Sequence, residues 1–451
     1  MTAIVFYFQV HQPFRVRKDL SAPPIPLESL AAAAAESSEL DPSVPVDGPG
    51  AAAPKAETTT AEAPSRRELE AMFDTGLDEL VMRRVAERCY LPMNERLQRV
   101  IEETEGRFRC SFSISGTALD QMERWAPEAL ESFQRLAATD AVEFLGETSH
   151  HSLAALEDAQ EFRSQVASHA DRIEKLFGRR PTTFRNTELI LDPRVTSAID
   201  ELGFDTILAE GAQQLLEGRS PHHLYLFEGT RGLRVIPRDW GLSDDIAFRF
   251  SNPDWESFPL FADAFAADLG SVPPPNEVLG LFMDYETFGE HQPAETGILE
   301  FMEHLPGYVL EDSRCFFLTP AELIRELTPA DSVHVDTPVS WADEERDVSA
   351  WLGNPMQRDA HEALYRLLPA VRRLAGAGKP RLLDVWRRLS TSDHVYYMST
   401  KRMSDGDVHS YFSPFDSPFA SYAQFTAVLR ALRAAIRDAE GAETEEGEKG
   451  S

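Results

Sequence analysis

The sequence predicts an α/β protein in which most strands lie in a parallel sheet that closes into a barrel, followed by a helical segment. Two observations lead to this fold class. Short apolar runs alternate with longer runs of helical periodicity, and a strand-then-helix order favours parallel neighbours. About seven such strands can be counted before residue 345, one fewer than in a complete eight-stranded barrel. After residue 345, amphipathic helical spacing predominates.

The predicted strands are rich in aliphatic and aromatic residues. In chain order they are Ala3 to Phe8, Phe108 to Ser115, Val142 to Gly146, Thr183 to Leu189, Thr206 to Ala209, Leu233 to Pro237 and Val278 to Met283. Helical periodicity is found over Leu77 to Ile101, Leu119 to Leu136, Asp158 to Phe177, His361 to Ala375, Arg381 to Ser390 and Ser421 to Ala439. The predicted barrel therefore occupies residues 1–345, and the helical part occupies residues 346–440.

Two segments of biased composition are expected to add nothing to a core. Residues 20–64 are rich in alanine, proline and threonine and contain no aromatic residue. Such a segment cannot bury enough apolar surface to offset the entropy lost on ordering, so we expect a mobile insertion there. Residues 441–451 are charged, and we expect a disordered acidic tail.

The charge balance excludes one class of partner. The chain has 75 acidic and 44 basic residues, a formal net charge of -31. Because a phosphate backbone or an anionic bilayer would be repelled, we expect neither a nucleic-acid nor a membrane partner. Lysine is nearly absent, and an acidic surface suits a salt-rich cytoplasm, where the Debye length falls to about 3 Å near 1 M salt. The sequence therefore predicts a halophilic protein.

The cysteines and the N-terminus bear on the cellular compartment in which the protein is expected. Cys89, Cys110 and Cys315 are too few and too scattered for a disulfide framework or a zinc-ligand pattern, so we expect buried, reduced thiols. The N-terminus opens on a predicted strand without a basic leader, and no long apolar stretch follows. We therefore expect a cytoplasmic protein. These features leave its oligomeric state open.

Polar motifs end three of the predicted strands. Residues 184–189 and 282–291 each begin with apolar or aromatic residues and reach a carboxylate, Glu188 or Asp284, where a barrel strand would meet an active-site rim. A third motif, His11-Gln12-Pro13, follows the first strand. Paired carboxylates catalyse glycoside hydrolysis: in retaining enzymes they lie about 5–5.5 Å apart, one attacking the anomeric carbon and the other protonating the leaving oxygen.

Together the three motifs resemble glycoside hydrolase family 57, the α-amylase and 4-α-glucanotransferase family. The resemblance implies an incomplete (β/α)7 barrel followed by a C-terminal helical domain, which accounts for the count of strands. It implies that Glu188 is the nucleophile and Asp284 the general acid/base. The implied activity is α-amylase-like hydrolysis of α-1,4-glucans through a covalent glycosyl-enzyme, with an α-glucan or maltooligosaccharide as partner and no cofactor.

Further residues at the predicted rim are expected to contact substrate. They are His11, Glu147, His150, Arg185, Trp240, Glu286, His291 and Trp351. Only one of the neighbours His150 and His151 should face the cleft, because adjacent side chains on extended backbone point oppositely. For the same reason Asp284 and Glu286 would share a face, which makes Glu286 the rival for the acid role. The tryptophans are expected to stack on glucose rings.

Three other activities remain compatible with the sequence. A 4-α-glucanotransferase differs from a hydrolase only in whether a sugar hydroxyl or water intercepts the intermediate. A catalytically silent glucan-binding relative is disfavoured by the presence of both carboxylates. A metal-dependent deacetylase barrel would look similar in outline, but no His-x-x-x-His pair occurs and Asp244-Asp245 does not directly end an apolar strand. We therefore expect no metal site.

Overall fold

The computed structural model describes residues 1–18, 72–273, 277–311, 314–401 and 413–449, with side chains as far as residue 441. The insertion expected at residues 20–64 lies outside the described residues. Cys89, Cys110 and Cys315 are buried thiols that form no disulfide, as predicted. The α/β class with parallel sheets is also confirmed.

The strands form two larger sheets and one short pair. They are β1 (Thr2–Val10), β2 (Cys110–Ile114), β3 (Val142–Phe144), β4 (Thr183–Arg185), β5 (Thr206–Glu210), β6 (Tyr225–Phe227), β7 (Arg234–Arg238), β8 (Val278–Asp284), β9 (Phe288–Gly289), β10 (Gln292–Pro293), β11 (Cys315–Phe317) and β12 (Asp331–Val333). The first sheet has the order β11-β1-β2-β3, with β8 also paired to β1, and all its pairs are parallel. The second has the order β12-β6-β7-β5-β4 and is parallel except between β6 and β7.

Backbone contacts connect the two sheets where β3 and β7 end. Where β3 ends, Gly146 forms a parallel bridge with Phe184 of β4. Where β7 ends, the backbone N–H of Asp239 donates to the carbonyl of Gly280 in β8, at 2.8 Å. A Cβ atom at Gly280 would lie 2.3 Å from the carbonyl oxygen of Pro237, so this approach of two strands requires glycine.

The side chains of β1 alternate between two cores, as those of a strand should. Ala3, Val5 and Tyr7 belong to an inner cluster that also contains residues of β5, β7 and β8, namely Leu208, Ile236, Val278 and Phe282. Ile4, Phe6 and Phe8 belong to a larger outer cluster, packed against helices. Because both faces are buried, β1 is apolar along most of its length rather than alternating.

Helices fill the connections and the C-terminal part. The α-helices are Thr75–Val85, Leu91–Glu103, Gly116–Trp125, Pro127–Ala137, Ala154–Glu157, Ala159–Phe177, Pro193–Glu201, Gln213–Leu216, Trp240–Asp244, Ala262–Ser271, Ile298–Glu311, Pro320–Glu326, Ser349–Leu352, Pro355–Tyr365, Leu368–Gly376, Arg381–Leu389, Asp393–Tyr396 and Pro418–Lys449. Their ends follow local chemistry. Asp158 caps Ala159–Phe177 by accepting from the backbone N–H of Glu161, and Gly178 ends it with φ of 81°.

The helices after residue 345 pack on the outer core. Trp386, Phe425 and Leu432 belong to the same buried cluster as Phe6 and Phe8 of β1. The last helix continues to Lys449, past residue 441 where the sequence predicts a disordered tail. Glutamate, alanine and lysine are favourable helix formers, which is consistent with that continuation.

Candidate active site

Glu188 follows β4 in a tight turn. The strand ends at Arg185 and the 3-10 turn Thr187–Leu189 follows, so the strand does not run to Leu189 as the sequence predicts. Glu188 and Leu189 have left-handed backbone, with φ of 57° and 51°. Each such residue costs about 1 kcal/mol or more and is maintained only where surrounding contacts enforce it. The turn leaves the Glu188 carboxylate beyond the carboxyl end of β4.

Three side chains contact the Glu188 carboxylate. The indole Nε1 of Trp341 donates to Oε2 at 2.9 Å, and the Ser392 hydroxyl donates to Oε1 at 2.9 Å. Nε2 of His151 lies 3.4 Å from Oε1. Burial raises the pKa of Glu188, but the hydrogen bond and positive charge of His151 outweigh it, so the pKa lies below its usual value. Glu188 is therefore ionised at neutral pH.

His151 connects two carboxylates. Its Nδ1 lies 2.9 Å from Oε2 of Glu147, while Nε2 faces Glu188. Burial lowers the pKa of His151, but hydrogen bonds to Glu147 and Glu188 outweigh it and raise the pKa to about 9. Burial raises the pKa of Glu147, but His151 outweighs that effect and brings it to about 2. An imidazolium thus lies between two carboxylates at neutral pH.

His11 lies against His151, with ring centroids 4.0 Å apart. Its Nε2 lies 2.9 Å from Oδ2 of Asp393 and its Nδ1 2.7 Å from the Ser115 hydroxyl. Burial and the neighbouring His151 lower the pKa of His11. A neutral His11 that donates from Nε2 to Asp393 and accepts from Ser115 at Nδ1 satisfies both contacts.

Asp284 is the last residue of β8 and pairs in register with Gln9 of β1. Burial raises its pKa to about 6; the Arg185 charge opposes this and the Glu188 charge adds to it. Among the described residues, none donates a hydrogen bond to its carboxylate. Unlike Glu188, Asp284 has no hydrogen-bond donor among these residues to offset its burial, and its pKa therefore rises although Arg185, His151 and Arg238 oppose the rise.

Glu286 does not share the face of Asp284 in a continuing strand, because the 3-10 turn Tyr285–Thr287 begins directly after β8. Its Oε1 accepts from the Tyr90 hydroxyl at 2.5 Å and from Nε2 of Gln12 at 3.4 Å. Burial and the Asp284 charge raise the pKa of Glu286 to about 8. The Glu286 carboxylate is therefore hydrogen-bonded to Tyr90 and Gln12.

Trp341 forms a wall beside Glu188. The guanidinium carbon of Arg185 lies 4.7 Å from its ring centroid and that of Arg238 lies 5.9 Å away. Arg185 is fully buried, and none of its three guanidinium nitrogens has a hydrogen-bond partner among the described residues. Buried donors are normally satisfied, so these nitrogens are available to a bound hydroxyl or water.

The sequence profile described as Glycosyl hydrolase family 57 matches residues 52–336. The chain is also 39% identical over 368 residues to a Methanocaldococcus jannaschii protein named "Putative alpha-amylase", covering 80% of this chain and 78% of that one. The chain belongs to glycosyl hydrolase family 57. It is a glycoside hydrolase, as the sequence motifs predict.

Solved structures of family 57 enzymes share the fold. The branching enzyme of Pyrococcus horikoshii superposes with a TM-score of 0.61 at 13% identity, over 95% of this chain and 88% of that one. The 4-alpha-glucanotransferase of Thermococcus litoralis superposes with a TM-score of 0.53 at 15% identity, over 88% of this chain. The chain spans only 51% of that structure. Within the described ranges, no helix is both long and apolar enough to cross a bilayer.

The structure brings His151, not His150, to the carboxylates of this family 57 site. Nδ1 of His150 lies 2.8 Å from the Ser149 hydroxyl, and its backbone N–H donates to Gln165. The alternation of side chains along extended backbone could not predict which histidine faces the cleft. His151 has φ of 48°, so the backbone is not extended there. Among the described residues, His150 forms no hydrogen bond with Glu188 or Asp284, and its contact with substrate stays a prediction.

The other predicted rim residues differ in exposure. Trp240 is 48% exposed, with the guanidinium of Arg346 5.5 Å from its ring centroid. Trp351 is buried and stacks with Tyr396 in the outer core, so it cannot stack on a sugar without rearrangement. The backbone N–H of His291 donates to the carbonyl of Glu286, and burial lowers the pKa of its ring to about 4. Of these three, only Trp240 presents a large aromatic surface.

Ser392 and Asp393 were not predicted as site residues, and Trp341 was expected only as the first residue of a rim stretch, residues 341–354. Trp341 follows the bridge between Leu191 and Val339, and Ser392 and Asp393 begin a short helix of the C-terminal part. The signal available for Trp341 was its place in the polar stretch from Trp341 to Asn354. No local pattern distinguishes Ser392 or Asp393, since long-range folding brings them to the site.

Residues considered as metal ligands do not form a metal-binding group. Across the part of the chain that the structure describes, no set of three or more His, Cys, Asp or Glu side chains could hold a metal ion. His11 and His151 instead make the protein contacts given above.

Proposed function

We propose that this chain is a retaining, α-amylase-like hydrolase that cleaves α-1,4-glucans through a covalent glycosyl-enzyme. One observation carries the proposal: two half-buried carboxylates, one just after β4 and one at the end of β8, have pKa values shifted in opposite directions. Oppositely tuned carboxylates are what a nucleophile and a general acid require. The "alpha-amylase" name of the relative supports the substrate class.

In the first step Glu188 attacks the anomeric carbon. A carbon–oxygen bond forms to its carboxylate while the glycosidic carbon–oxygen bond breaks. Protonated Asp284 gives its proton to the departing oxygen. His151, Trp341 and Ser392 fix the position of the Glu188 carboxylate, and the imidazolium of His151 keeps it ionised.

In the second step the ionised Asp284 acts as a base. It takes a proton from water, the water oxygen bonds to the anomeric carbon, and Glu188 departs as a carboxylate. Two displacements at one carbon retain its configuration. Proton nuclear magnetic resonance of the first product should therefore show the α-anomer, whereas a first-formed β-anomer would contradict retention.

We also propose that the two sheets form one incomplete (β/α)7 barrel over residues 1–345. The contacts of β3 with β4, of β7 with β8 and of β8 with β1 support a ring of β1, β2, β3, β4, β5, β7 and β8. Residues 346–440 would be the helical domain. Ser392 and Asp393 belong to it and contact Glu188 and His11, so this domain would complete the active site.

The α-glucan would lie between the two carboxylates and the exposed rim. Arg185 would donate its unpartnered N–H groups to sugar hydroxyls or to a bridging water, and Trp240 would stack on a glucose ring. Hydroxyl groups are good acceptors for such donors.

Product analysis separates hydrolysis from transfer. The full chain would be incubated with maltooligosaccharides in high salt, and the product lengths measured. Shorter products alone support hydrolysis. Longer products accompanying shorter ones identify a transferase, and an unchanged substrate identifies a silent glucan-binding protein.

Chelation tests the deacetylase alternative. Turnover of maltooligosaccharides should persist after treatment with EDTA, because the proposed reaction uses two carboxylates. If chelation abolishes turnover and zinc restores it, the two-carboxylate mechanism is incorrect.

A further inference from the structure

A cluster of exposed aromatic residues follows β7. Among the described residues, eight large hydrophobic side chains are exposed, and four of them, Trp240, Phe248, Phe258 and Phe261, fall within residues 240–261. Their exposed fractions are 48%, 57%, 43% and 62%. Exposing several large aromatic groups in one segment is unfavourable unless they bind something. We refer to residues 240–261 as the aromatic segment.

The aromatic segment begins at the edge that carries the catalytic candidates. Parallel strands have their carboxyl ends on one side of the sheet, and Arg238 ends β7 as Asp284 ends β8. The amide of Gln292, in the loop after β8, donates to the carbonyl of Ala247 at 3.1 Å. The segment is therefore attached to the loop that leaves Asp284.

A second connection joins the aromatic segment to Glu188. The guanidinium of Arg346 lies over the ring of Trp240, and its Nη1 donates to the carbonyl of Trp341 at 2.5 Å. Trp341 in turn donates to Glu188. Trp240 is thus connected to Glu188 through Arg346 and Trp341. The three phenylalanines follow Trp240 along the chain.

Buried contacts hold the segment in place. Phe250 packs on Phe301 with ring centroids 5.1 Å apart, and Arg249 pairs with Asp245 at 2.6 Å. The Arg249 guanidinium also lies 5.8 Å from the ring centroid of Trp255. With Phe250 inside and Phe248 outside, the segment presents aromatic rings on a supported backbone rather than on a free loop.

We propose that the aromatic segment binds a stretch of α-glucan chain that extends beyond the catalytic cleft. Glucose rings have apolar faces that stack on aromatic side chains and hydroxyl edges that bond to polar neighbours. Asn252, Asp254 and Glu256 are exposed between the rings and can accept from sugar hydroxyls. The proposal rests on the proposed function for the identity of the glucan.

The charge favours a neutral polymer over a second copy of this chain. A symmetric dimer would place the same surface on both sides of the interface, so Asp254 and Glu256 would face their own copies. The net charge of -31 would add to this repulsion, whereas a neutral polysaccharide experiences none.

The test uses the full chain with Glu188→Gln, so that starch remains intact. Binding to insoluble starch in high salt would be measured before and after the double substitution Phe248→Ser and Phe261→Ser. Tyr308→Ser is the matched control, because Tyr308 is another exposed aromatic residue and lies on the helix Ile298–Glu311. Losing two stacking contacts should raise the Kd for starch about fivefold or more. The control should leave it unchanged.

With Glu188 restored, the same double substitution should raise the KM for long amylose several-fold more than the KM for a short maltooligosaccharide. Starch binding equal to that of the parent would overturn the proposal. So would a concentration-dependent dimer, seen by light scattering, that the double substitution abolishes. If the restored chain cleaves no glucan but starch binding still falls with the substitutions, the proposed function fails while this binding surface stands.

Discussion

Glu188 and Asp284 are both half-buried carboxylates at the ends of parallel strands, but their surroundings are opposite. Glu188 is contacted by Trp341, Ser392 and His151, and its pKa is lowered. Asp284 accepts no hydrogen bond from the described residues, and its pKa is raised to about 6. Burial penalises both charges, so the difference comes from the donors. The comparison teaches that neighbours, rather than depth, assign chemical roles to two similar groups.

The largest expected effect comes from removing the contacted carboxylate. Glu188→Gln should lower kcat by about 10⁴-fold or more on every α-glucoside, because no glycosyl-enzyme can form. Steady-state rates on substrates with poor and good leaving groups measure this. Glu143→Gln is the matched control, a half-buried glutamate in β3 that accepts from the backbone N–H of Ala321. Comparable rates for Glu188→Gln and the control would contradict the assignment.

The uncontacted carboxylate should behave differently. Asp284→Ala should lower kcat on natural glucans about 10²–10⁴-fold. The rate of glycosyl-enzyme formation from a substrate with a good leaving group should fall much less, because that leaving group needs little protonation. Azide should then release an α-glycosyl azide. A β-azide from Asp284→Ala would indicate inversion and reverse the two roles.

The pH dependence of the unsubstituted enzyme tests the same difference between Glu188 and Asp284. Because Asp284 must be protonated to act as an acid, kcat/KM on natural glucans should fall as the pH rises through about 6. With a substrate that has a good leaving group, this fall of kcat/KM at high pH (the basic limb of the profile) should be smaller. A basic limb that is identical for both substrates would mean that another group supplies the proton.

A smaller effect is expected when one donor to Glu188 is removed. Trp341→Phe keeps a ring beside Arg185 but loses the N–H, and a hydrogen bond to a charged group contributes about 1.5–3 kcal/mol, or roughly 10–100-fold in kcat. The acid limb of the pH profile should also shift upward, since Glu188 loses a group that stabilises its charge. Trp386→Phe, which loses an indole bond to the carbonyl of Leu364, is the control. It should lower stability without moving the pH profile.

The smallest effect concerns stability. The pKa of folded His151 is about 9, above its unfolded value of 6.5. Its contribution is therefore fully present below pH 6.5 and is lost as the pH rises through 9. The free energy of unfolding, measured with urea in high salt, should fall over this range by an amount on the order of 1 kcal/mol more in the parent than in His151→Gln. Parallel curves would show that His151 is not protonated between its two carboxylates.

Much of this architecture could be predicted from local patterns. The seven predicted strands overlap β1 to β5, β7 and β8, because strands buried on both faces appear as apolar runs. The strands β6, β9, β10, β11 and β12, each of two or three residues, were not predicted. Glu188, Asp284, His11 and Glu147 were predicted as site residues because polar residues that end apolar strands stand out in a sequence.

By itself, the sequence determined the α/β class and the family, and it predicted the two carboxylates, one just after β4 and one at the end of β8. Only the tertiary structure distinguished His151 from His150, buried Trp351 within the core and brought Trp341, Ser392 and Asp393 to the site. The physical reason is the range of the interactions. Apolar periodicity and strand ends are local, whereas a pKa and a hydrogen bond in the site depend on groups up to 382 positions apart, as His11 and Asp393 are.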